Sequence, residues 1–437
     1  MDQPTRSAEP APAGPAPAAE PRRTDQPPIP RGVRRRDVLV GGGGAALGAL
    51  ATWAGLRADG TPTDEGAASS DTSAPATAAD YRGNLTEPWQ GEHQAGIVTA
   101  PQGFLTLTAY DLADHVDALR LERLLRIWTD GISRLAAGRP GLTDTEPELA
   151  AHPARLTVTV GLGPGAFERT GLEARRPAWL AQLPPYSIDA LEDAWSGGDL
   201  AVQVCGEDPS TVAHAARYLA KEAADLATVR WAQHGFRNAA GQVPEAMTFR
   251  NQFGQLDGSS NLQGEEGEHV WITDPDAPAW LRGGTTMVVR RIHMNLDKWD
   301  ELDRPGREVI VGRRLGDGAP LTGCDEFTAP DLEAVNELGF PAIDAAAHIR
   351  RARTDDPTQR ILRRPYSYEA APSVIPSDTG QIFIAFQADL EHQFLPVQAR
   401  LAELDLLNQW TTPIGSAVFA VPRGVREGEF LAQDLFA

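Results

Sequence analysis

The feature that most constrains the fold is a repeated order of apolar segments. From residue 103 to residue 234, segments of alternating polarity and segments of helical spacing follow the order strand, helix, strand, strand, helix, strand. That order is typical of a ferredoxin-like unit, an antiparallel sheet with helices on one face. The pattern predicts strands at 103–110, 155–160, 200–205 and 229–234, with helices at 115–136 and 209–227.

A second, looser cycle of the same kind follows in the C-terminal half. It predicts strands at 285–294, 381–387 and 416–422, with helices near 295–302 and 394–406. We therefore predict an α+β fold of two ferredoxin-like domains, each an antiparallel sheet with helices packed on it, at 93–245 and 246–437. The long connections between about residues 303 and 380 are where we expect a site, because functional residues concentrate on loops held by a rigid scaffold.

The N-terminal region differs from the rest of the chain in charge and composition. Residues 1–58 carry eight Arg and five Asp or Glu, whereas the 437-residue chain has a net charge of −20. Arg34, Arg35 and Arg36 precede an uncharged stretch, 38–56, that contains four consecutive glycines. This pattern resembles a twin-arginine export signal; the alternative, a membrane anchor, is weakened by the glycines. We interpret residues 1–56 as a twin-arginine signal region and 57–92 as a linker.

Net charge and cysteine content exclude several classes of protein. A chain with 60 acidic and 40 basic residues is a poor candidate for binding nucleic acid or an anionic membrane through a basic surface. Its two cysteines, Cys205 and Cys324, exclude a disulfide framework, a multi-cysteine zinc site and a cysteine-ligated iron–sulfur cluster. Whether the two cysteines pair is left open by the sequence.

One glycine-rich segment resembles a dinucleotide-binding motif. Residues 161–166 (GLGPGA) follow a predicted strand and match the dinucleotide fingerprint. Pro164 has no backbone N–H to offer a phosphate, however, and the chain lacks strands that alternate regularly with helices. We expect a turn after an edge strand here instead.

Three further features carry possible chemistry. None of the nine histidines lies in a His-x-x-x-His pair, although a single histidine could hold a haem iron from one face. Asp257, flanked by glycines, is either a turn residue bonded to nearby backbone N–H groups or a carboxylate aimed into a cavity. Arg363 and Arg364 are either part of a solvated basic face or include one arginine buried beside that carboxylate, where it could stabilise negative charge on oxygen.

Seven segments, in the expected order, resemble the motifs of the dye-decolourising peroxidases. The resemblance is to the twin-arginine-exported group that includes the EfeB-type deferrochelatases, and it covers residues 93 to about 421. The segments begin at residues 93 (HQAGI), 159 (TVGLGP), 196 (SGGDL), 254 (GQLDG, matching GxxDG), 288 (VVRRI), 347 (AHIR) and 363 (RRPYSY).

The resemblance implies a role for particular residues. His348 is similar to the proximal haem ligand, Asp257 to the distal aspartate and Arg363 to the distal arginine, with one haem b per chain. It also implies haem contacts from the residues that flank these positions, namely Gly258, Ser259, Ser260, Arg353, Thr354 and Asp355. The sequence departs from the family pattern in having Gln255-Leu256 inside GxxDG, His293 where arginine is usual, and Pro365 where glycine is usual.

Two of these departures bear on the site. His293 offers a rival ligand to His348, but it lies in a predicted strand between Ile292 and Met294, so we favour His348. Pro365 follows the arginine pair and affects how Arg363 is aimed.

The function implied by the resemblance is a haem peroxidase that reduces hydrogen peroxide and oxidises dyes or other organic reductants through a ferryl intermediate. It also implies export by the twin-arginine translocase to the periplasm, the cell surface or the outside, and a possible homo-oligomer. Two alternatives remain open: a deferrochelatase that releases iron and leaves the porphyrin intact, and an exported binding protein without haem. Electrons from large dyes could reach the haem through oxidisable rings, for which the candidates are Tyr366, Tyr368, Trp299 and Trp410.

Overall fold

A computed structural model describes residues 82–244, 247–264, 266–371 and 377–437. The predicted signal region and residues 57–81 of the predicted linker lie outside the described residues. The remainder of that linker is tied to the folded body. Glu87 forms an ion pair with Arg155 at 2.6 Å, and the amide of Gly91 donates to the carbonyl of Val425 at 3.1 Å.

The N-terminal half follows the predicted order of elements. Helix α1 (Ala118–Leu135) begins where Asp117 accepts a hydrogen bond from the amide of Arg120, and its buried face carries Leu121, Leu124 and Trp128. Asp208 likewise caps helix α3 (Pro209–Ala223), which has Pro209 in its first turn. The strands are β1 (Phe104–Leu112), β2 (Thr157–Leu162), β3 (Leu200–Gly206) and β4 (Ala227–Phe236), and the helices are α1 (Ala118–Leu135), α2 (Pro164–Thr170) and α3 (Pro209–Ala223).

The C-terminal half repeats this plan with more helices in its connections. Strand β5 has the bounds that the sequence predicts, and the described residues of the long connection before β8 contain three helices and two strands. The strands are β5 (Thr285–Met294), β6 (Leu362–Arg363), β7 (Tyr366–Ala371), β8 (Asp378–Gln387) and β9 (Thr411–Val421). The helices are α4 (Gly267–Val270), α5 (Leu296–Asp300), α6 (Arg304–Val311), α7 (His348–Ala352) and α8 (Leu395–Leu404).

Each half builds a four-stranded antiparallel sheet with ferredoxin-like strand order. The first sheet runs β4-β1-β3-β2 and the second runs β7-β8-β5-β9, with β6 beside β8. Single pairings join the two sheets at both edges, Leu162 with Ala420 and Phe236 with Ser367, so the strands form a closed ring. The predicted α+β fold class is therefore confirmed, and the ring closure adds what the sequence did not predict.

Two clusters of buried side chains lie on opposite faces of these strands. The larger cluster packs α1 and α3 against one face, with Leu124, Trp128 and Leu219 fully buried. The second cluster takes the other face of strands from both halves, including Leu107, Met287 and Phe419. Burial of both faces is most complete in β2 and β3, in which every residue is buried.

The glycine-rich segment 161–166 forms the end of a strand and the start of a helix instead of the expected turn. Strand β2 lies between β3 and β9, so it is not an edge strand, and α2 begins at Pro164 immediately after it. The expectation of a turn after an edge strand is therefore wrong. A side chain at Gly163 would lie 2.0 Å from the carbonyl oxygen of Gly198, so close approach of backbone requires glycine there.

Within the described residues, none of the helices combines the length and apolar character needed to cross a bilayer. The two cysteines do not pair, since Cys205 is buried and Cys324 is exposed, both as free thiols.

Candidate active site

Asp257 follows a tight hairpin that the sequence around it dictates. The side-chain carbonyl of Asn251 accepts from the amides of Phe253 at 3.0 Å and Gln255 at 3.3 Å, and Gly254 takes a positive φ of 77° that favours glycine. The amide of Asp257 then donates to the carbonyl of Phe249 at 2.7 Å. Asn251 therefore has the turn role considered for Asp257, whose carboxylate is left for other contacts.

The carboxylate of Asp257 bonds to side chains from distant parts of the chain. Arg363 Nη1 donates to Oδ1 at 2.5 Å, Gln381 Nε2 donates to Oδ2 at 2.8 Å, and Asn251 Nδ2 lies 3.4 Å from Oδ2. Burial alone would raise the pKa of Asp257, but the Arg363 guanidinium and the hydrogen bonds from Gln381 and Arg363 outweigh it and hold the pKa below its usual value. Asp257 is thus a largely buried carboxylate whose ionised form is stabilised by its partners.

Arg363 is positioned by its backbone. It ends β6, which pairs with β8, and Asn261 clamps it: Asn261 Oδ1 accepts from the Arg363 amide and Nδ2 donates to the Arg363 carbonyl, both at 2.8 Å. The neighbouring Arg364 points the opposite way and is 2 % exposed. Pro365, the departure from the family pattern, therefore does not prevent Arg363 from reaching Asp257.

His348 is the first residue of α7, and its ring is held from one side. Nδ1 is 2.6 Å from Oδ2 of Asp405, a carboxylate that is 3 % exposed, while the His348 side chain is 35 % exposed. Asp405 outweighs burial and raises the pKa of His348 above its usual value. Because a carboxylate only accepts, Nδ1 carries the donated proton, and in the neutral ring Nε2 then has the lone pair that a metal-ligating histidine requires.

The carboxylate–guanidinium pair and the histidine lie within electrostatic reach of each other. Asp257 raises the pKa of His348, Arg363 opposes that rise, and His348 in turn lowers the pKa of Asp257. The structure therefore brings together all three residues that the sequence singled out for the chemistry.

The residues predicted along the haem edge are engaged in local contacts. A Cβ at Gly258 would lie 3.0 Å from Thr248, a tight fit that favours glycine directly after Asp257. Ser259 donates to Glu326 at 2.9 Å, and the buried Arg313 lies 3.4 Å from the hydroxyl of Ser260. These contacts fix the loop that carries Asp257, and the predicted haem contacts remain predictions.

The three positions after α7 are less engaged. The hydroxyl of Thr354 donates to Gln359 at 2.9 Å, whereas Arg353 and Asp355 are exposed. The rival ligand His293 lies in β5 with Nε2 at 3.3 Å from the carbonyl of Ser377. That contact occupies the nitrogen that would bind a metal, so the structure favours His348.

Sequence reasoning missed three residues that position the site. Asp405 orients His348 from 57 residues away in the chain, Gln381 orients Asp257 from 124 residues away, and Asn261 orients Arg363 from 102 residues away.

The four rings proposed for electron transfer are all buried. Trp299 packs edge-on against Trp410 with ring centroids 5.5 Å apart, and neither reaches the surface. Within the described chain, no group of three or more His, Cys, Asp or Glu side chains is arranged to hold a metal ion.

Comparison with known proteins identifies the family. Residues 94–237 match the N-terminal model and residues 248–426 the C-terminal model of the Dyp-type peroxidases. A dye-decolorizing peroxidase of Thermobifida fusca is 38% identical over 431 residues, 93% of this chain and 97% of that protein. The chain belongs to the Dyp-type peroxidase family. The predicted family and enzyme class, a haem peroxidase, are confirmed.

Other members of the family differ in what they are described as doing. A deferrochelatase of Escherichia coli K12 is 33% identical over 81% of this chain and 88% of its own. A crystal structure of a DyP-type peroxidase from Cellulomonas bogoriensis is 53% identical and superposes with a TM-score of 0.79, covering 81% of this chain and 99% of that chain. Ferric DtpA from Streptomyces lividans is 39% identical with a TM-score of 0.78, covering 83% and 100%.

The predicted haem cofactor is consistent with the residues of this peroxidase. The hydrogen bond from His348 Nδ1 to Asp405 leaves Nε2 available to an iron, and it is the arrangement that fixes the tautomer and raises the basicity of a ligating histidine. The Asp257–Arg363 pair lies close enough to interact with His348 electrostatically without bonding to it. A haem held by His348 thus fits the donor set present.

Proposed function

We propose that this peroxidase reduces hydrogen peroxide and oxidises dyes or other organic reductants, with His348 as the iron ligand and Asp257 and Arg363 as the groups that act on peroxide. The observation that carries the proposal is the 2.5 Å contact between Arg363 and Asp257, a base and a cation held together within electrostatic reach of His348. Haem, when bound, supplies an iron that binds peroxide and holds its oxidising equivalents until a reductant returns two electrons.

Asp257 moves the proton. Its carboxylate, ionised because Arg363 and Gln381 lower its pKa, accepts a proton from one oxygen of peroxide and delivers it to the other, which leaves as water. A base with a pKa below the usual value of about 3.9 stays ionised in mildly acidic solution. The expected consequence is activity that extends to acidic pH.

Arg363 supplies fixed positive charge. Its guanidinium donates from Nη1 to Asp257, while its other N–H groups can donate to an oxygen on which negative charge develops. Asn261 holds its backbone, which limits the rearrangement needed when peroxide arrives. His348 is oriented by Asp405, which would leave Nε2 as the nitrogen available to hold the iron.

Product analysis tests the proposed function against the alternative, a deferrochelatase. The haem-loaded protein is mixed with peroxide and a dye, and pigments are extracted afterwards. We expect oxidised dye and intact haem. Iron-free porphyrin with the dye unchanged would support iron release instead, and a protein that takes up no haem would overturn both functions.

His348→Ala tests the iron ligand. We expect the variant to lose haem or to give a changed axial spectrum, because Nε2 is removed while Asp405 remains in place. Absorption spectra after haem reconstitution measure this, with His293→Ala as the matched control, because His293 lies on a strand and contacts a carbonyl. Unchanged haem binding in His348→Ala would contradict the assignment, and loss of haem in His293→Ala would indicate His293 as the ligand instead.

The remaining features of the proposal concern the setting. We infer export through the twin-arginine translocase, from the arginines at 34–36, to the periplasm, the cell surface or the outside. The partners are hydrogen peroxide and a small-molecule or dye reductant, with no nucleic acid, since the chain is acidic. We also propose that the chain forms a homo-oligomer and that its two domains meet near residue 245.

The export step is tested by fusing residues 1–60 to a reporter protein that folds in the cytoplasm.

A further inference from the structure

A buried polar cluster lies inside the closed ring of strands, apart from the site described above. Its members are Cys205 of β3, Tyr366 of β7 and Arg364, and their exposed fractions are 0, 0 and 2 %. Cys205 and Tyr366 belong to the apolar cluster of Leu107, Met287 and Phe419. The proposed peroxide chemistry uses none of the three.

Strand register brings the thiol and the phenol together. Cys205 pairs with Leu105 and Leu105 pairs with Gly235, so these three residues form a cross-strand row on one face. A Cβ at Gly235 would lie 2.6 Å from the Cβ of Tyr366, which means that the tyrosine occupies the space above the glycine. The phenol of Tyr366 and the thiol of Cys205 interact electrostatically, and the guanidinium of Arg364 interacts with both.

The polar atoms of this cluster are poorly satisfied. Arg364 donates from Nη1 to the carbonyl of Thr99 and from Nη2 to Gln102 Oε1, but its Nε has no hydrogen-bond partner among the described residues. The hydroxyl of Tyr366 likewise has no partner that meets normal hydrogen-bond geometry in the described part of the chain. Buried polar atoms are nearly always bonded, and exceptions often mark redox or catalytic sites.

The cluster is also connected to the proposed peroxide site through strand β8. Tyr366 pairs with Ile382, the neighbour of Gln381, and Gln381 bonds Asp257 at 2.8 Å. The guanidinium of Arg237 lies 6.0 Å from the Tyr366 ring and interacts electrostatically with Asp257. The ring of Tyr366, on the strand that pairs with β8, is therefore an oxidisable group close to the place where an oxidising equivalent would be produced.

We propose that Tyr366 and Cys205 are an internal electron-donor pair, which is converted into a tyrosine–cysteine thioether when peroxide is consumed without an external reductant. This inference rests on the proposed function, because the peroxide reaction supplies the oxidant. In the absence of a dye, two oxidising equivalents have no outside donor. The phenol and the thiol then provide both electrons.

The reaction balances without another reagent. The S–H bond of Cys205 and one ring C–H bond beside the hydroxyl of Tyr366 break, and a C–S bond forms between them. The two electrons and two protons released reduce one hydrogen peroxide to two waters. Burial raises the pKa of Tyr366 well above its usual value, so the phenol is protonated and must lose its proton together with the electron.

Peptide mass mapping tests the proposal on the haem-loaded full chain. The protein is given one equivalent of hydrogen peroxide without reductant, unfolded, alkylated at free thiols and digested, while peroxide consumption is measured in parallel. The chain supplies matched controls. Cys324 is an exposed thiol, and Tyr368 is buried on the same strand and face as Tyr366 but packs against Arg291, whose guanidinium carbon lies 3.9 Å from its ring.

We expect a linked pair of peptides containing Cys205 and Tyr366, lighter than the sum of the two by two hydrogen atoms and formed in proportion to the peroxide consumed. It should form in wild type and in Tyr368→Phe, and be absent from Tyr366→Phe, from Cys205→Ala and from protein not given peroxide. Cys324 should not enter the link.

Two results would overturn the pair while leaving the proposed function intact. In the first, peroxide is consumed and Cys205 remains as alkylatable as in untreated protein. In the second, Cys205 loses its thiol equally in wild type and Tyr366→Phe, so the phenol is not its partner. If peroxide is not consumed at all, the proposed function itself fails and the inference fails with it.

Discussion

Asp257→Asn is expected to slow the reaction with hydrogen peroxide by about 10²- to 10⁴-fold, the usual contribution of a positioned general base. The amide cannot accept the peroxide proton, but its oxygen can still accept from Arg363, so the loop and the haem site should remain folded. Stopped-flow absorption at neutral pH measures the rate, and the haem spectrum before mixing confirms that the cofactor is bound.

Asp317→Asn is the matched control for this change. Asp317 also pairs with an arginine, Arg314, at 2.9 Å, and its pKa is also lowered by that partner, but it is exposed. We expect wild-type rates from it. A wild-type rate in Asp257→Asn would show that Asp257 is not the base, and equal slowing in both variants would point to a general effect of lost negative charge.

Arg363→Leu is expected to slow the same step by about 10²- to 10³-fold, as removal of one preorganised donor does. A second effect should accompany it. Arg363 is the largest cause that lowers the pKa of Asp257, and without it burial dominates, so that pKa rises. Because Asp257 must be ionised to act as a base, the acid limb of the rate profile should move to higher pH.

Arg363→Lys separates the two effects. Lysine keeps the positive charge but lacks the planar fork of donors, so we expect a slower rate with the acid limb near its wild-type position. Rate profiles of wild type and both variants between pH 3 and 8 make the comparison. If Arg363→Leu leaves both the rate and the acid limb unchanged, Arg363 neither assists the reaction nor sets the pKa of Asp257.

The sequence was informative where chemistry and periodicity are local. Strand β5 has the predicted bounds, and α1 starts three residues later than predicted because Asp117 provides the N-cap. The closure of the two sheets was not predictable, since each join is one residue pair, Leu162 with Ala420 and Phe236 with Ser367, without a local signal. Long-range pairing depends on the packing of the whole ring.

The candidate site shows the same difference between residues in local motifs and residues brought in by long-range contacts. His348, Asp257 and Arg363 lie in short motifs that a sequence reveals, whereas the residues that orient them do not. Asp405 and Gln381 are single polar residues whose roles arise only after folding brings them 2.6 Å from His348 and 2.8 Å from Asp257. Their positions in a helix end and a strand carry no motif, so only the structure identifies them.

The most direct test of the central claim, that Asp257 held ionised by Arg363 is the base of a peroxidase site, is the pH dependence of the wild-type rate with hydrogen peroxide. Haem-loaded protein is mixed with peroxide in a stopped-flow spectrometer across acidic to neutral pH. The account predicts a rate constant that keeps its neutral value into the acidic range and has its acid limb below the usual carboxyl pKa of about 3.9, since the pKa of Asp257 is lowered. A rate that is lost between pH 7 and pH 5, or a haem spectrum that does not respond to peroxide, would contradict it.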